Sequence, residues 1–157
     1  VLLRKNIPNI KVRVVNVIDL MRLVSHDEHP HGLTDLEYDR IFTKDKPIIF
    51  AFHGYPNLIH ELTYKRANNN LHVRGYIEEG AITTSFDMRV LNKIDRYNLC
   101  KLAIKHLKLN SIEVIKLNDY CDIMLAKHKK YIKEYGVDMP EVTNFEFDFK
   151  GRDQYEL

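Results

Sequence analysis

The sequence has 157 residues, 45% of them apolar and 29% charged, with a formal net charge of +2 and a pI of about 8.5. That length fits a single domain over residues 1–157, large enough to bury a sizeable core. The mild charge argues against a nucleic-acid partner, which asks for a concentrated basic face. No apolar run reaches the roughly 18 residues of a membrane span, so no membrane partner is expected either.

In chain order, Val1-Leu2-Leu3-Arg4-Lys5-Asn6 reads as the last turn of an amphipathic helix, with cations at its C-terminal end. It meets charge too early for the apolar core of a signal peptide. A domain rarely begins on a final helical turn, so the chain reads as a fragment. Ile7-Pro8-Asn9 breaks that turn. Val12, Val14, Val15, Val17 and Ile18 are β-branched and predict a buried strand. Residues 25–32 are a polar loop. Thr34 and Glu37 form a capping box for a helix that ends near Phe42.

Pro47 opens a second strand, Ile48 to Phe52, which stops at His53-Gly54-Tyr55-Pro56. Pro56 fits the first turn of a helix over about residues 57–66, and Asn68-Asn69-Asn70 is a turn. Leu71 to Ile77 predicts a third strand. Thr84 and Asp87 predict a second capping box, followed by helices containing Val90 and Leu102. Asn110 and Glu113 open a long helix to about Tyr135, with Gly136 as its cap and Pro140 as its stop. Residues 141–157, with Phe145, Phe147 and Phe149 alternating, read as an extended C-terminal arm. Strands alternating with helices, each strand a near-continuous apolar run, predict an α/β fold with parallel strands.

Strong catalytic motifs are missing: the sequence holds no phosphate-binding glycine loop, nucleophile elbow, C-x-x-C or H-E-x-x-H. The densest ligand-like stretch is His26-Asp27-Glu28-His29-Pro30-His31. Three imidazoles and two carboxylates suit a transition metal. A solvated loop is the favoured reading, because Pro30 restrains the backbone and ligand spacing alone is unspecific.

His53 and Tyr55 fall at the carboxyl end of a predicted parallel strand, and Tyr76 ends the next strand at the same edge. Ligands of open α/β sheets bind there, and the following helix aims free N–H groups towards it. The alternative is a domain or subunit contact, and it is favoured because no nucleophile–base pair accompanies these residues. His60 and Tyr64 share a face of the following helix, where Lys65 and Arg66 also lie. A phosphate contact is conceivable for this group, but a solvated or interface face is favoured. Arg74 needs a partner if it points into a covered sheet face, with Glu78 or Asp87 in reach. Cys100 and Cys121 read as packing residues in a reducing compartment, here the cytoplasm. The run from Lys127 to Lys133 reads as a solvated helix end.

Several stretches together resemble one known family. They are Lys11-Val12-Arg13-Val14-Val15-Asn16-Val17-Ile18-Asp19-Leu20, Pro47-Ile48-Ile49-Phe50-Ala51-Phe52-His53-Gly54-Tyr55-Pro56, Asn70-Leu71-His72-Val73-Arg74-Gly75-Tyr76 and Thr84-Ser85-Phe86-Asp87-Met88. In this order they are similar to the C-terminal domain of phosphoketolase, closely from Lys11 to Leu99 and more loosely to Asn144. Phe145–Leu157 departs from the pattern.

The resemblance implies a three-layer α/β/α sandwich like the transketolase C-terminal domain, mostly parallel, with its first strand–helix unit truncated. In that fold the missing strand lies inside the sheet, so a second copy fills the gap or the pairing rearranges. The resemblance also implies a parent carbon–carbon lyase that converts xylulose 5-phosphate, or fructose 6-phosphate, and phosphate into acetyl phosphate and an aldose phosphate. Thiamine diphosphate and Mg2+ are the implied cofactors, held upstream, with none in this chain. No catalytic, cofactor or metal residue is carried over. The implied role is assembly, with regulation as a further part, alongside the upstream domains of the same polypeptide in a homo-oligomer. His53, Tyr55, His60, Arg74 and Tyr76 remain the candidate crevice or interface residues. The alternatives are a free-standing small-molecule or nucleotide-binding module with its site at that edge, and a metal enzyme using His26, His29 and His31.

Overall fold

Two of the apolar runs become strands, and the connection between them dictates their direction. In the computed structural model, which describes residues 1–77, 80–108 and 110–145, β1 (Ile48–Ala51) pairs in parallel with β2 (Leu71–Arg74). The register runs from Ile48 opposite Leu71 to Ala51 opposite Arg74. Ile48 donates to the carbonyl of Asn70 at 2.8 Å and Phe52 to that of Arg74 at 2.9 Å, which clamps both ends of the ladder. Parallel pairing needs a crossover. A helix over Pro56–Thr63 supplies it, burying Ile59 completely.

The helices before the sheet are α1 (Leu2–Asn6) and α2 (Asp35–Phe42), with a 3-10 turn over Leu20–Leu23, so the crossover helix is α3. After the sheet come α4 (Ser85–Leu91), α5 (Arg96–Leu107), α6 (Ile112–Tyr135) and the short α7 (Pro140–Thr143). The α/β class with parallel strands is therefore present, on a sheet of two strands among the described residues.

The expected first strand does not form. Val14 is 84% exposed and Ile18 91% exposed, and no described strand pairs with the run. Instead Arg13 ties it to the C-terminal end of α2, donating to the carbonyl oxygens of Arg40 at 2.5 Å and Ile41 at 2.8 Å. β-branched side chains favour a strand only where neighbours supply the ladder and the packing.

Capping shows the same dependence on context. Thr34 and Glu37 form the expected box: Glu37 donates its N–H to the Thr34 hydroxyl and accepts from the Thr34 N–H at 2.9 Å. Thr84 and Asp87 do not. Thr84 precedes α4, but its hydroxyl donates to Asp138, while Asp87 accepts from Thr83 at 2.6 Å. Ser111, one residue later than Asn110, caps α6 through a bond from the Val114 N–H. Gly136 takes φ +69° as the cap of α6, and Pro140 starts α7 as well as following α6. Glu141–Thr143, expected as the start of an extended arm, are helical, and residues 146–157 of that arm lie outside the described residues.

Two clusters of buried side chains result. One gathers Leu23, Tyr38, Phe42, Ile59 and Val73 around the sheet. The other gathers Phe86, Tyr97, Leu117, Cys121 and Met139 between the later helices.

Candidate functional site at the carboxyl edge of the strands

β1 ends where backbone meets backbone. A Cβ on Gly75 would overlap the carbonyl oxygen of Gly54 and sit 3.0 Å from the Pro56 ring, and a Cβ on Gly54 would overlap the Phe52 ring. The Tyr76 N–H donates to the Gly54 carbonyl at 2.7 Å. Only glycine permits so close an approach, so the two strand exits are locked together.

That lock presents three rings side by side. The Tyr76 ring lies 6.2 Å from His53 and 6.2 Å from Tyr55, the latter edge-on at 87°. His53 and Tyr55 are exposed and Tyr76 is half-buried. Edge-to-face aromatic pairs of this kind suit a contact surface. Pro56 opens α3 directly behind Tyr55.

The other two expected residues lie differently. His60 is on the exposed face of α3. Arg74 donates to the neighbouring Val73 carbonyl at 3.0 Å, while its expected partner Asp87 bonds to Thr83. Glu78 lies outside the described residues. Beside Arg74, the rings of His72 and His106 stack at 3.4 Å and 19°. Burial, reinforced by Arg74 and Lys105, lowers the pKa of both from the usual histidine value, and for His72 the neighbouring His106 adds to this.

The histidine-rich loop is held in place by some of its own polar groups. The N–H of His31 donates to Nδ1 of His29 at 3.1 Å, Nδ1 of His26 lies 3.3 Å from the Gly32 carbonyl, and Glu28 pairs with Lys65. Among the described residues no three His, Cys, Asp or Glu side chains converge as metal ligands.

Three structural centres were missed in the sequence. Arg66, expected on a solvated or interface face, is 3% exposed and turned into the fold. Its guanidinium lies 4.3 Å over the Tyr38 ring and donates to the carbonyls of Leu23, Val24 and Leu33 and to Asp35. Burial raises the pKa of Tyr38 against that cation. His128, expected among solvated lysines, is completely buried, edge-on to Phe86 and with Nε2 3.3 Å from Asp87. Asp95 is 1% exposed and caps α5, accepting from the N–H groups of Tyr97 and Asn98.

Spacing held the signal in two cases. Arg66 follows Ile59 and Thr63 at helical spacing, although α3 ends at Thr63, and Leu117, Cys121, Met124 and His128 lie on one stripe of α6. Cys100 and Cys121 are buried free thiols on α5 and α6, and a thiol–thiol hydrogen bond between them raises the pKa of Cys100 and lowers that of Cys121.

The chain matches the family described as XFP C-terminal domain over residues 1–147. It is 51% identical over 146 residues to a probable phosphoketolase of Clostridium acetobutylicum, covering 93% of this chain and 18% of that protein. It is 51% identical over 148 residues to a probable phosphoketolase of Chlorobaculum tepidum, covering 94% and 19%. A third, from Rhodopseudomonas palustris, is 53% identical over 145 residues, covering 92% and 18%. The chain thus spans less than a fifth of the length of these curated relatives. No helix of the described residues is long and apolar enough to cross a membrane. With matching stretches from end to end of the described fold, the chain belongs to the phosphoketolase C-terminal domain family.

Proposed function

We propose that this domain serves the assembly of a phosphoketolase and leaves the chemistry to the rest of the polypeptide. The parent reaction in this reading cleaves xylulose 5-phosphate or fructose 6-phosphate with phosphate, giving acetyl phosphate and an aldose phosphate. Thiamine diphosphate and Mg2+ then sit in the other domains. The partners are those domains and a second subunit. Two buried free thiols support a reducing compartment, the cytoplasm.

The observation that carries the reading is the closed backbone lock at the edge where an α/β sheet would bind its ligand. Gly54 and Gly75 fill the space between the strand exits, and the aromatic rings of His53, Tyr55 and Tyr76 are turned to each other. The deeply placed carboxylates are likewise committed. Asp95 caps a helix, Asp87 bonds Thr83, and Asp138 accepts from Thr84 and from the Phe86 N–H. These residues do not fit a diphosphate–metal site, whose carboxylates must face the ion.

The test is the pair His53→Ala and Tyr55→Ala in a whole phosphoketolase carrying this domain. Weakened subunit association with turnover per assembled enzyme unchanged is expected. Loss of turnover with assembly intact would refute the assembly role and make this edge a reaction site.

A further inference from the structure

Along β2 successive side chains alternate between the two faces of the sheet. Val73 enters the cluster that holds Leu23 and Ile59, so His72 and Arg74 fall on the opposite face, where α5 lies. There the His72 ring stacks on His106 of α5 at 3.4 Å and 19°, with Lys105 beside it in the sequence. Arg74 ends β2, so two imidazoles, a guanidinium and an ammonium gather near the carboxyl edge of the strands. Ligands of α/β sheets bind at that edge. The lock at Gly54 and Gly75 lies between the strand exits, whereas this group lies on the α5 face of β2.

No described negative charge balances these groups. Arg74 is half-buried and donates to the Val73 carbonyl. Among the described residues neither Arg74 nor Lys105 has an ion pair, and neither ring nitrogen of His106 has a hydrogen-bond partner. Nε2 of His72 lies 2.8 Å from the side-chain oxygen of Asn70, which makes Nε2 the protonated nitrogen and leaves Nδ1 open. The charged neighbours of His72 are His106, Arg74 and Lys105, and those of His106 are Lys105 and Arg74. Each of them disfavours a proton on the rings. An anion placed among them would reverse that effect and give the half-buried guanidinium the partner it lacks.

We propose that this group binds a small dianion of the phosphate class, held between the Arg74 guanidinium and the Lys105 ammonium against the open nitrogens of the His72–His106 stack. Two fixed cations and two ionisable rings match a ligand with two charges, which a single protein carboxylate does not supply. The site goes beyond the assembly reading, which concerns His53, Tyr55 and Tyr76. Binding and protonation are linked: the ion favours the imidazolium, and the imidazolium favours the ion.

The experiment titrates sulfate, a dianion throughout the histidine range, into the 157-residue chain at constant ionic strength. The ring signals of its eight histidines are followed by NMR, with His72→Gln and His106→Gln spectra to identify two of them. A saturable shift confined to His72 and His106 is expected, with binding about tenfold tighter at about pH 6 than at about pH 8. Arg74→Gln and, on the exposed side, Lys105→Gln should each weaken binding by about tenfold or more. Unsaturable shifts shared by all the histidines, or unchanged affinity in Lys105→Gln, would overturn the proposal. Inorganic phosphate and glycerol phosphate are then compared: the tighter binder identifies a free ion or a monoester as the occupant, and no binding by either overturns the proposal.

A second measurement uses a whole phosphoketolase carrying this domain. Diethyl pyrocarbonate should modify His72 and His106, and sulfate should slow that modification severalfold. Rings that stay unmodified with and without sulfate would assign the cations to a contact with another domain and overturn the small-ion reading.

Discussion

The two core clusters are built in opposite ways. The cluster between the later helices closes on itself: α6 is 24 residues long and buries Val114, Leu117, Cys121, Met124 and His128 along one stripe against α5, α4 and α1. The cluster around the strands is built otherwise. Its sheet has two described strands, the run beside it packs Val17 but leaves Val14 and Ile18 exposed, and much of its cohesion comes from polar groups tying loops together. Arg66 gathers three loop carbonyls, and Asn68 holds the entries to the strands by donating to the carbonyls of Thr43 and Lys46. The difference teaches that the helical half is held mainly by apolar packing along one long helix, whereas the sheet half relies on polar side chains that tie its loops together.

The first way to break this comparison is Arg66→Met. It keeps the aliphatic stem but orphans three buried carbonyls and frees Tyr38, so a loss of about 3–5 kcal/mol is expected in urea unfolding. The fall should localise to the sheet half, with exchange in α5 and α6 changing least.

Gly75→Ala comes next. The new methyl group cannot avoid the Gly54 carbonyl, so a loss of about 2 kcal/mol is expected from thermal unfolding, again from the sheet half.

On the helical side, Asp138→Ala removes the acceptor for the Thr84 hydroxyl and the Phe86 N–H. The expected cost is about 1–2 kcal/mol by the same measurement. A cost there larger than that of Arg66→Met would reverse the contrast drawn between the halves.

The smallest effect is a pH dependence. The pKa values of His72 and His106 are lowered in the fold, so the unfolded chain binds protons that the folded chain does not. Stability therefore falls as pH drops through the ordinary histidine range and levels off below the folded values. Urea midpoints between about pH 8 and pH 5 should show this slope, and the double change His72→Gln and His106→Gln should flatten it.

What the sequence disclosed follows the same division. Local signals were legible: the Thr34–Glu37 box, the Gly136 cap, Pro56 at the start of α3, and both apolar runs that became β1 and β2. The grouping of His53, Tyr55 and Tyr76 was legible from strand direction alone, because parallel strands bring their carboxyl ends to one edge. What escaped was tertiary. Thr84 looked like half of a capping box until Asp138, more than fifty residues away, claimed its hydroxyl. His128 looked solvated by its lysine neighbours, although its place on the apolar stripe of α6 outweighs them. The run 11–18 carries strand propensity without the partner that propensity needs, so no local rule distinguishes it from β1.

The central claim is that this chain contributes structure to a phosphoketolase and no chemistry of its own. The most direct test is the production of acetyl phosphate by the purified 157-residue chain, supplied with xylulose 5-phosphate, phosphate, thiamine diphosphate and Mg2+, beside the same assay of a whole phosphoketolase carrying this domain. The account predicts none from the chain and full conversion by the whole enzyme. Acetyl phosphate from the isolated chain would contradict it.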